Sequence, residues 1–248
     1  MKFIITETKA KYFAGLIDAD GCYYFQRNAQ GYLRGCFTIS QSSLGKLAVE
    51  ELAGLTEKRV TQTTYKTKAG DEKIKYTVLI SSREDLKSFN DRLLKFLVVK
   101  GTIAKFVSDK VIELKNTKIS EKDFELLQST AKGVREFGGA VKPRNFVSSA
   151  WVAGFLDGDG NYSIKRGAYC HAWVSVSKRE KVQAIKFLVD KFGGSHSKTG
   201  TADNWYLGLG KGKRQLAVKF LKQMRKHSIV KQDKIEMMLN IHSSSGTD

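Results

Sequence analysis

A chain of 248 residues, 41 % hydrophobic and with no apolar run of about 18 residues, can bury one large or two small cores but cannot form a membrane-spanning helix. Lys and Arg total 43 against 25 Asp and Glu, a net charge of +18 spread along the whole chain; this points to a polyanion, nucleic acid before an acidic membrane surface, because a surface-binding helix would gather its lysines on one amphipathic segment. Cys22, Cys36 and Cys170 fit no zinc spacing and Met1–Lys11 lacks an apolar h-region, so an intracellular protein with reduced thiols is expected, in an organelle or a prokaryotic cytoplasm.

In chain order, the pattern predicts a helix over 11–20 stopped by Gly21, then strands Cys22–Arg27 and Leu33–Gln41 and a helix Leu44–Leu55. Strands Arg59–Lys66 and Lys73–Ser82 follow, then another helix and the run Phe96-Leu-Val-Val-Lys100. A polar segment, Asn116–Asn145, holds Gly138-Gly139 and the chain's one proline, Pro143, with a predicted helix over Glu121–Phe137. A helix over 149–159, capped by Ser148 or Ser149, is stopped by Gly160. Strands Asn161–Arg166 and His171–Lys178, a helix Arg179–Phe192, strands Ser195–Thr199 and Asn204–Gly210, a further helix and Ser228-Ile-Val-Lys231 complete the pattern.

The second series copies the first. Tyr12-Phe-Ala-Gly-Leu-Ile-Asp-Ala-Asp-Gly21 matches Trp151-Val-Ala-Gly-Phe-Leu-Asp-Gly-Asp-Gly160 in residue type at ten positions. The copies are offset by 159 − 20 = 139 at the last Asp, 178 − 41 = 137 at Gln41/Lys178 and 231 − 100 = 131 at the lysines. The expected fold is therefore α+β, two pseudo-symmetric αββαββα halves, each a four-stranded antiparallel sheet backed by helices. The halves are 1–115 and 146–248, with 116–145 as a linker.

Ala14, Gly15 and Ala19 in one motif helix, and Ala150, Ala153, Gly154 and Gly158 in the other, suggest two helices packed backbone to backbone, since interior glycine costs about 0.5–1 kcal/mol unless close packing offsets it. Gly21 and Gly160 suit left-handed helix stops. Asp20 and Asp159 would then lie together at two helix C-termini, where the dipole disfavours them and each repels the other. A hard cation would relieve both, so an oxygen-liganded Mg²⁺ at a nuclease centre fits. Asp18 and Asp157 read better as capping or turn residues.

In the strands, apolar residues alternate with polar ones. Tyr24, Gln26, Arg34, Cys36, Thr38, Ser40, Lys75 and Thr77 in the first half, and Ser163, Lys165, Trp173, Ser175, Ser177, Asn204 and Tyr206 in the second, fall on the polar side; Asn28 follows the first strand. Exposed aromatics among basic and polar residues suit DNA, and a β-ribbon fits the major groove. A strand of about 9 residues spans roughly 30 Å, near 9 base pairs, so two halves cover on the order of 20 base pairs of an asymmetric site.

The doubled Phe13-Ala-Gly-Leu-Ile-Asp-Ala-Asp-Gly21 and Val152-Ala-Gly-Phe-Leu-Asp-Gly-Asp-Gly160 resemble the LAGLIDADG homing endonucleases of the single-chain, two-motif kind, over about residues 8–115 and 146–242. Phe13 and Val152 replace the first Leu of the family name. The resemblance implies a saddle-shaped fold and a metal-dependent double-strand cut with short 3′ overhangs, in the service of intron homing. It implies metal at Asp20 and Asp159, with Mg²⁺ or Mn²⁺ supporting cleavage and Ca²⁺ binding without it. It also implies catalytic roles for Gln41, Lys178, Lys100 and Lys231, and a monomer on double-stranded DNA. Two alternatives stay open at this point: an RNA-binding intron maturase, and a DNA-binding relic without catalysis.

Overall fold

The computed structural model describes residues 4–137, 147–165, 169–177, 181–209 and 214–244. The first half runs α1 (Glu7–Asp20), β1 (Cys22–Arg27), β2 (Leu33–Ser42), α2 (Lys46–Leu55), β3 (Val60–Lys66), β4 (Glu72–Ile80), α3 (Arg83–Leu93) and α4 (Gly101–Glu113). Helix α5 (Glu121–Phe137) comes next. The second half runs α6 (Ser149–Gly158), β5 (Gly160–Lys165), β6 (Tyr169–Val176), α7 (Val182–Phe192), β7 (Ser195–Thr199), β8 (Ala202–Leu209), α8 (Arg214–Arg225) and α9 (Gln232–Ser244). Two antiparallel sheets result, ordered β1-β2-β4-β3 and β5-β6-β8-β7. None of the described helices is long and apolar enough to cross a membrane.

The α+β, two-sheet reading of the sequence is the observed fold, with one helix more per half than the pattern predicted. α4 and α9 follow the two lysines. α4 buries Ile103, Ala104, Val107 and Val111 at helical spacing, but its cap residue, Lys100, makes no side-chain cap, so no start signal precedes it in the sequence. α6 does have such a signal: the Ser148 hydroxyl accepts from Trp151 N at 3.1 Å.

The strands alternate as read. Tyr23 and Phe25, Phe37 and Ile39, Val78 and Ile80 are buried beneath the first sheet, and Tyr162, Val174, Val176, Trp205 and Leu207 beneath the second. They join the motif helices in one hydrophobic core that runs through both halves.

That continuity depends on α1 and α6 lying against each other at glycine. A Cβ on Gly15 would sit 1.9 Å from Trp151 O, and one on Gly154 1.9 Å from Tyr12 O. Each glycine therefore seats the other helix's backbone, and two aligned positions of the repeat make one symmetric crossing.

Gly21 and Gly160 correct one expectation. Gly21 has φ −66° and ψ 153°, an extended geometry open to any residue, and Gly160 is the first residue of β5. Both are glycine for room: a Cβ on Gly21 would meet Ile17 O at 2.8 Å, and one on Gly160 the Leu156 Cα at 2.7 Å.

Candidate active site

The motif helices end in two aspartates each, and the two differ in surroundings. Asp18 is fully buried. Its carboxylate accepts from Val98 N (2.7 Å), Lys100 N (2.8 Å) and Trp151 Nε1 (2.9 Å). Burial pushes the Asp18 carboxyl up, while the three N–H donors and the Lys100 charge pull it down. Asp157 repeats the arrangement, accepting from Ser228 Oγ (2.6 Å), Ile229 N (2.8 Å), Val230 N (3.0 Å) and the Tyr12 hydroxyl (2.8 Å). Each carboxylate thus holds the loop that presents its own half's lysine, and takes one more bond from the aromatic residue of the opposite helix. The capping reading of Asp18 and Asp157 agrees with these bonds.

Two residues on, Asp20 and Asp159 face each other at the paired helix ends. A Cβ on Gly158 would lie 2.6 Å from Asp20 Oδ2, and the Asp20 charge acts on Asp159. Gln41, from the end of β2, donates Nε2–H to Asp20 Oδ2 at 2.7 Å. Lys181, at the start of α7, donates Nζ–H to Asp159 Oδ2 at 2.5 Å. Burial pushes the Asp159 carboxyl up, the Asp20 charge adds to it, and Lys181 and Lys100 act against both.

Lys100 and Lys231 come in beneath. Lys100 Nζ donates to Ile17 O (2.8 Å) and Ala19 O (3.2 Å), and Lys231 Nζ to Leu156 O and Gly160 O. Each ammonium therefore caps the negative end of its motif helix. Burial lowers the Lys231 ammonium's affinity for its proton, while Asp157, Asp20 and Asp159 raise it.

The structure thus gathers Asp20, Asp159, Gln41, Lys100 and Lys231 at one place. Lys178 lies outside the described residues, and the side chain bonded to Asp159 is Lys181, which the sequence reading missed. Aligning the strand ends picked the lysine 137 residues after Gln41, whereas the bonded one lies three residues further on. The only trace in the sequence was a second lysine just past the strand.

A hard divalent cation fits this donor set. Among the described residues no group of three or more His, Cys, Asp or Glu is gathered, so the anionic side chains offered to an ion here are the two carboxylates. Two half-buried carboxylates that repel each other at two negative helix ends suit an oxygen-liganded ion.

On the outward sheet faces, Gln26, Arg34, Lys75, Ser175, Ser177 and Tyr206 are exposed, and Tyr24, Thr38, Ser40, Thr77, Ser163, Trp173 and Asn204 are half-buried. Ser40 and Thr77 hydroxyls bond each other across the strands at 2.8 Å, and Asn204 Nδ2 donates to Thr199 Oγ1 at 3.2 Å. The side chain of Lys165 lies outside the described residues.

Of the expected contact residues, one is covered and one has a structural bond of its own. Cys36 is fully buried: Tyr24 pairs with it across the strands and Gln26 Oε1 accepts from its thiol, whose pKa burial pushes up to about 11. Asn28 closes the β1–β2 turn, its Oδ1 accepting from Tyr32 N at 2.8 Å. Alternation shows which side a residue faces; it does not show what covers it.

The register adds residues the sequence reading left out. Thr61, Thr63 and Tyr65 of β3 lie across from Thr77, Lys75 and Lys73, and Ser195 and Ser197 of β7 across from Tyr206 and Asn204, on the same outward faces.

Among protein families, residues 7–93 match the LAGLIDADG-like domain. No curated protein sequence matches the chain. Among solved structures, the chain is similar to the LAGLIDADG homing endonuclease I-GzeII in complex with DNA target, at 17 % identity and a TM-score of 0.69, covering 96 % of this chain and 92 % of that one. It is similar to the LAGLIDADG meganuclease I-AabMI bound to uncleaved DNA (15 %, 0.63, 95 % and 91 %). It is also similar to the I-SmaMI LAGLIDADG homing endonuclease bound to cleaved DNA (15 %, 0.61, 94 % and 88 %). With both motif helices and both sheets in place, the chain has the fold of these LAGLIDADG endonucleases throughout, and its residues 7–93 match the LAGLIDADG-like domain.

Proposed function

We propose that this protein is a site-specific DNA endonuclease that binds an asymmetric duplex of about 20 base pairs along its two sheet faces and cuts both strands, leaving short 3′ overhangs, for intron homing. The observation that carries the reading is the meeting of Asp20 and Asp159 at the interlocked ends of α1 and α6, each with a polar partner from its own half. Two repelling carboxylates at negative helix ends suit a site that holds a cation against a phosphodiester, and a structural role offers no reason for them.

Asp20 and Asp159 would hold Mg²⁺. The bound ion would stabilise charge on the phosphate and leaving oxygens and acidify a water. The chain's own groups position the rest. Gln41 and Lys181 each engage Oδ2 of one carboxylate and so orient it. Lys100 and Lys231 bring positive charge to where a scissile phosphate gains negative charge. The exposed polar and aromatic side chains of both sheets contact bases and phosphates, and the net charge of +18 draws the duplex in. One chain supplies both halves, so one copy per duplex is the working unit.

The test is a library of random duplexes incubated with the protein in Mg²⁺, with the new ends sequenced. Ends clustered within one fixed consensus of about 20 base pairs support the reading. Binding without new ends, or ends with no consensus, refutes it.

A further inference from the structure

Helix α5 joins the two repeats and belongs to neither, yet it reaches the site. β1 is an edge strand, and α5 lies beside it. At the far end Arg27 fastens the helix start, with Nε donating to Ile119 O (2.8 Å) and Nη1 to Glu121 Oε2 (2.7 Å). Seventeen residues at about 1.5 Å each carry the helix back roughly 25 Å along the strand. In its last turn Arg135 Nη2 donates to Tyr23 O at 3.1 Å, three residues beyond Asp20. There a cavity of about 170 Å³ is lined by Asp20, Cys22, Lys100, Lys181, Ile103 and Arg135.

The plain reading is that Arg135 satisfies a carbonyl on a sheet edge. That bond uses one of five guanidinium N–H donors. Lys100, Lys181 and Arg135 line the cavity; with Lys181 paired to Asp159, Lys100 and Arg135 remain against the Asp20 carboxylate. Such an excess suits an anion, and the flat donor fork of arginine matches phosphate oxygens better than an ammonium does. On the other side, the described charges acting on Asp159 come from Lys181, Asp20 and Lys100. α5 occurs once in a chain where every other element of the site occurs twice.

We propose that Arg135 is a phosphate-contacting residue of the Asp20-side site, delivered by α5, so that one of the two strand cuts depends on it and the other does not. This rests on the endonuclease reading above. The variant Arg135→Gln removes the charge but keeps an N–H donor for Tyr23 O, which protects the fold; Arg135→Lys keeps the charge without the fork. Each would be assayed on the selected target duplex, labelled on one strand and then the other, beside wild type, with melting and Ca²⁺ gel shift in parallel.

Arg135→Gln is expected to slow one strand's cleavage by tenfold or more, leaving the other strand within twofold, so that nicked duplex accumulates. Melting temperature should stay unchanged and Ca²⁺ affinity within about threefold, and Arg135→Lys should recover part of the lost rate. The slowed strand should be the one more affected by Lys100→Ala. Equal slowing of both strands, no slowing of either, or slowing explained by a lower melting temperature overturns the proposal. A wild-type chain that binds but cuts neither strand overturns the endonuclease reading and this one with it, and the wild-type control identifies that case.

Discussion

Each motif ends in Asp-x-Asp, and the two carboxylates in it, two residues apart, have opposite surroundings. Asp18 and Asp157 are buried and accept three or four hydrogen bonds each, chiefly from the loops that carry Lys100 and Lys231. Asp20 and Asp159 are half-buried, each engaged through Oδ2 by one side chain, and set against each other. Identical chemistry in the sequence thus separates into a structural pair and the pair proposed to be reactive. A carboxylate surrounded by N–H donors holds a loop in place, whereas one facing another carboxylate calls for a cation.

The comparison breaks most plainly by substitution of the outer pair. Asp20→Asn or Asp159→Asn should lower plasmid cleavage in Mg²⁺ by at least about two orders of magnitude, because charge stabilisation at the phosphate is lost. Melting temperature and Ca²⁺ gel shift should hold or improve. Variants that melt earlier yet cut at the normal specific rate would place the outer aspartates with the structural pair.

Asp18→Ala should do the reverse. It leaves Val98 N, Lys100 N and Trp151 Nε1 without their acceptor, a loss of about 3 kcal/mol, or roughly 6–12 °C in a melting scan. Gly15→Ala tests the crossing beneath both pairs. Its Cβ would fall 1.9 Å from a backbone oxygen that cannot swing away, so a cost of about 1–3 kcal/mol is expected by urea titration. A neutral result would mean that the helices can part at that point.

Exchanging the partners sharpens the comparison within the reactive pair. Gln41→Lys or Lys181→Gln should alter the ratio of the two strand rates by less than about tenfold, since each partner orients a carboxylate rather than replacing it. Strand-resolved kinetics measure this directly.

The smallest effect is with pH. Asp159's carboxyl is raised in the fold, first by burial, so its contribution to stability is full below its unfolded value and is lost as pH rises through the folded one. Asp159→Asn should therefore melt higher than wild type near neutral pH, and the gap should close as the solution is acidified below the ordinary aspartate range. A gap independent of pH would show that the carboxylate is not strained by its ionisation.

The sequence carried the architecture because the repeat was read twice: one strong alternation, such as Phe37 and Ile39 against Thr38 and Ser40, gains weight from Val174 and Val176 against Trp173 and Ser175. It also brought Asp20 and Asp159 to two helix ends. What stayed hidden was what approaches from elsewhere in the chain. Lys181 depends on where a loop delivers the start of α7. Cys36 is covered by a neighbour across the strand. Arg135 reaches the site only because α5 folds back along β1. The bonds from Tyr12 to Asp157 and from Trp151 to Asp18 join residues more than 130 positions apart, and neither local spacing nor hydrophobic period records such pairs.

Those crossed bonds give the molecule an internal messenger. Trp151 belongs to the second half, yet the carboxylate that receives its N–H also seats the backbone of Val98 and Lys100 in the first; Tyr12 relates in the same way to Ser228, Ile229 and Val230. A slide or tilt of either motif helix therefore pulls on the lysine loop of the other half. In a chain that works as proposed, a poor fit of the duplex against one half would thereby reach the lysine loop of the other.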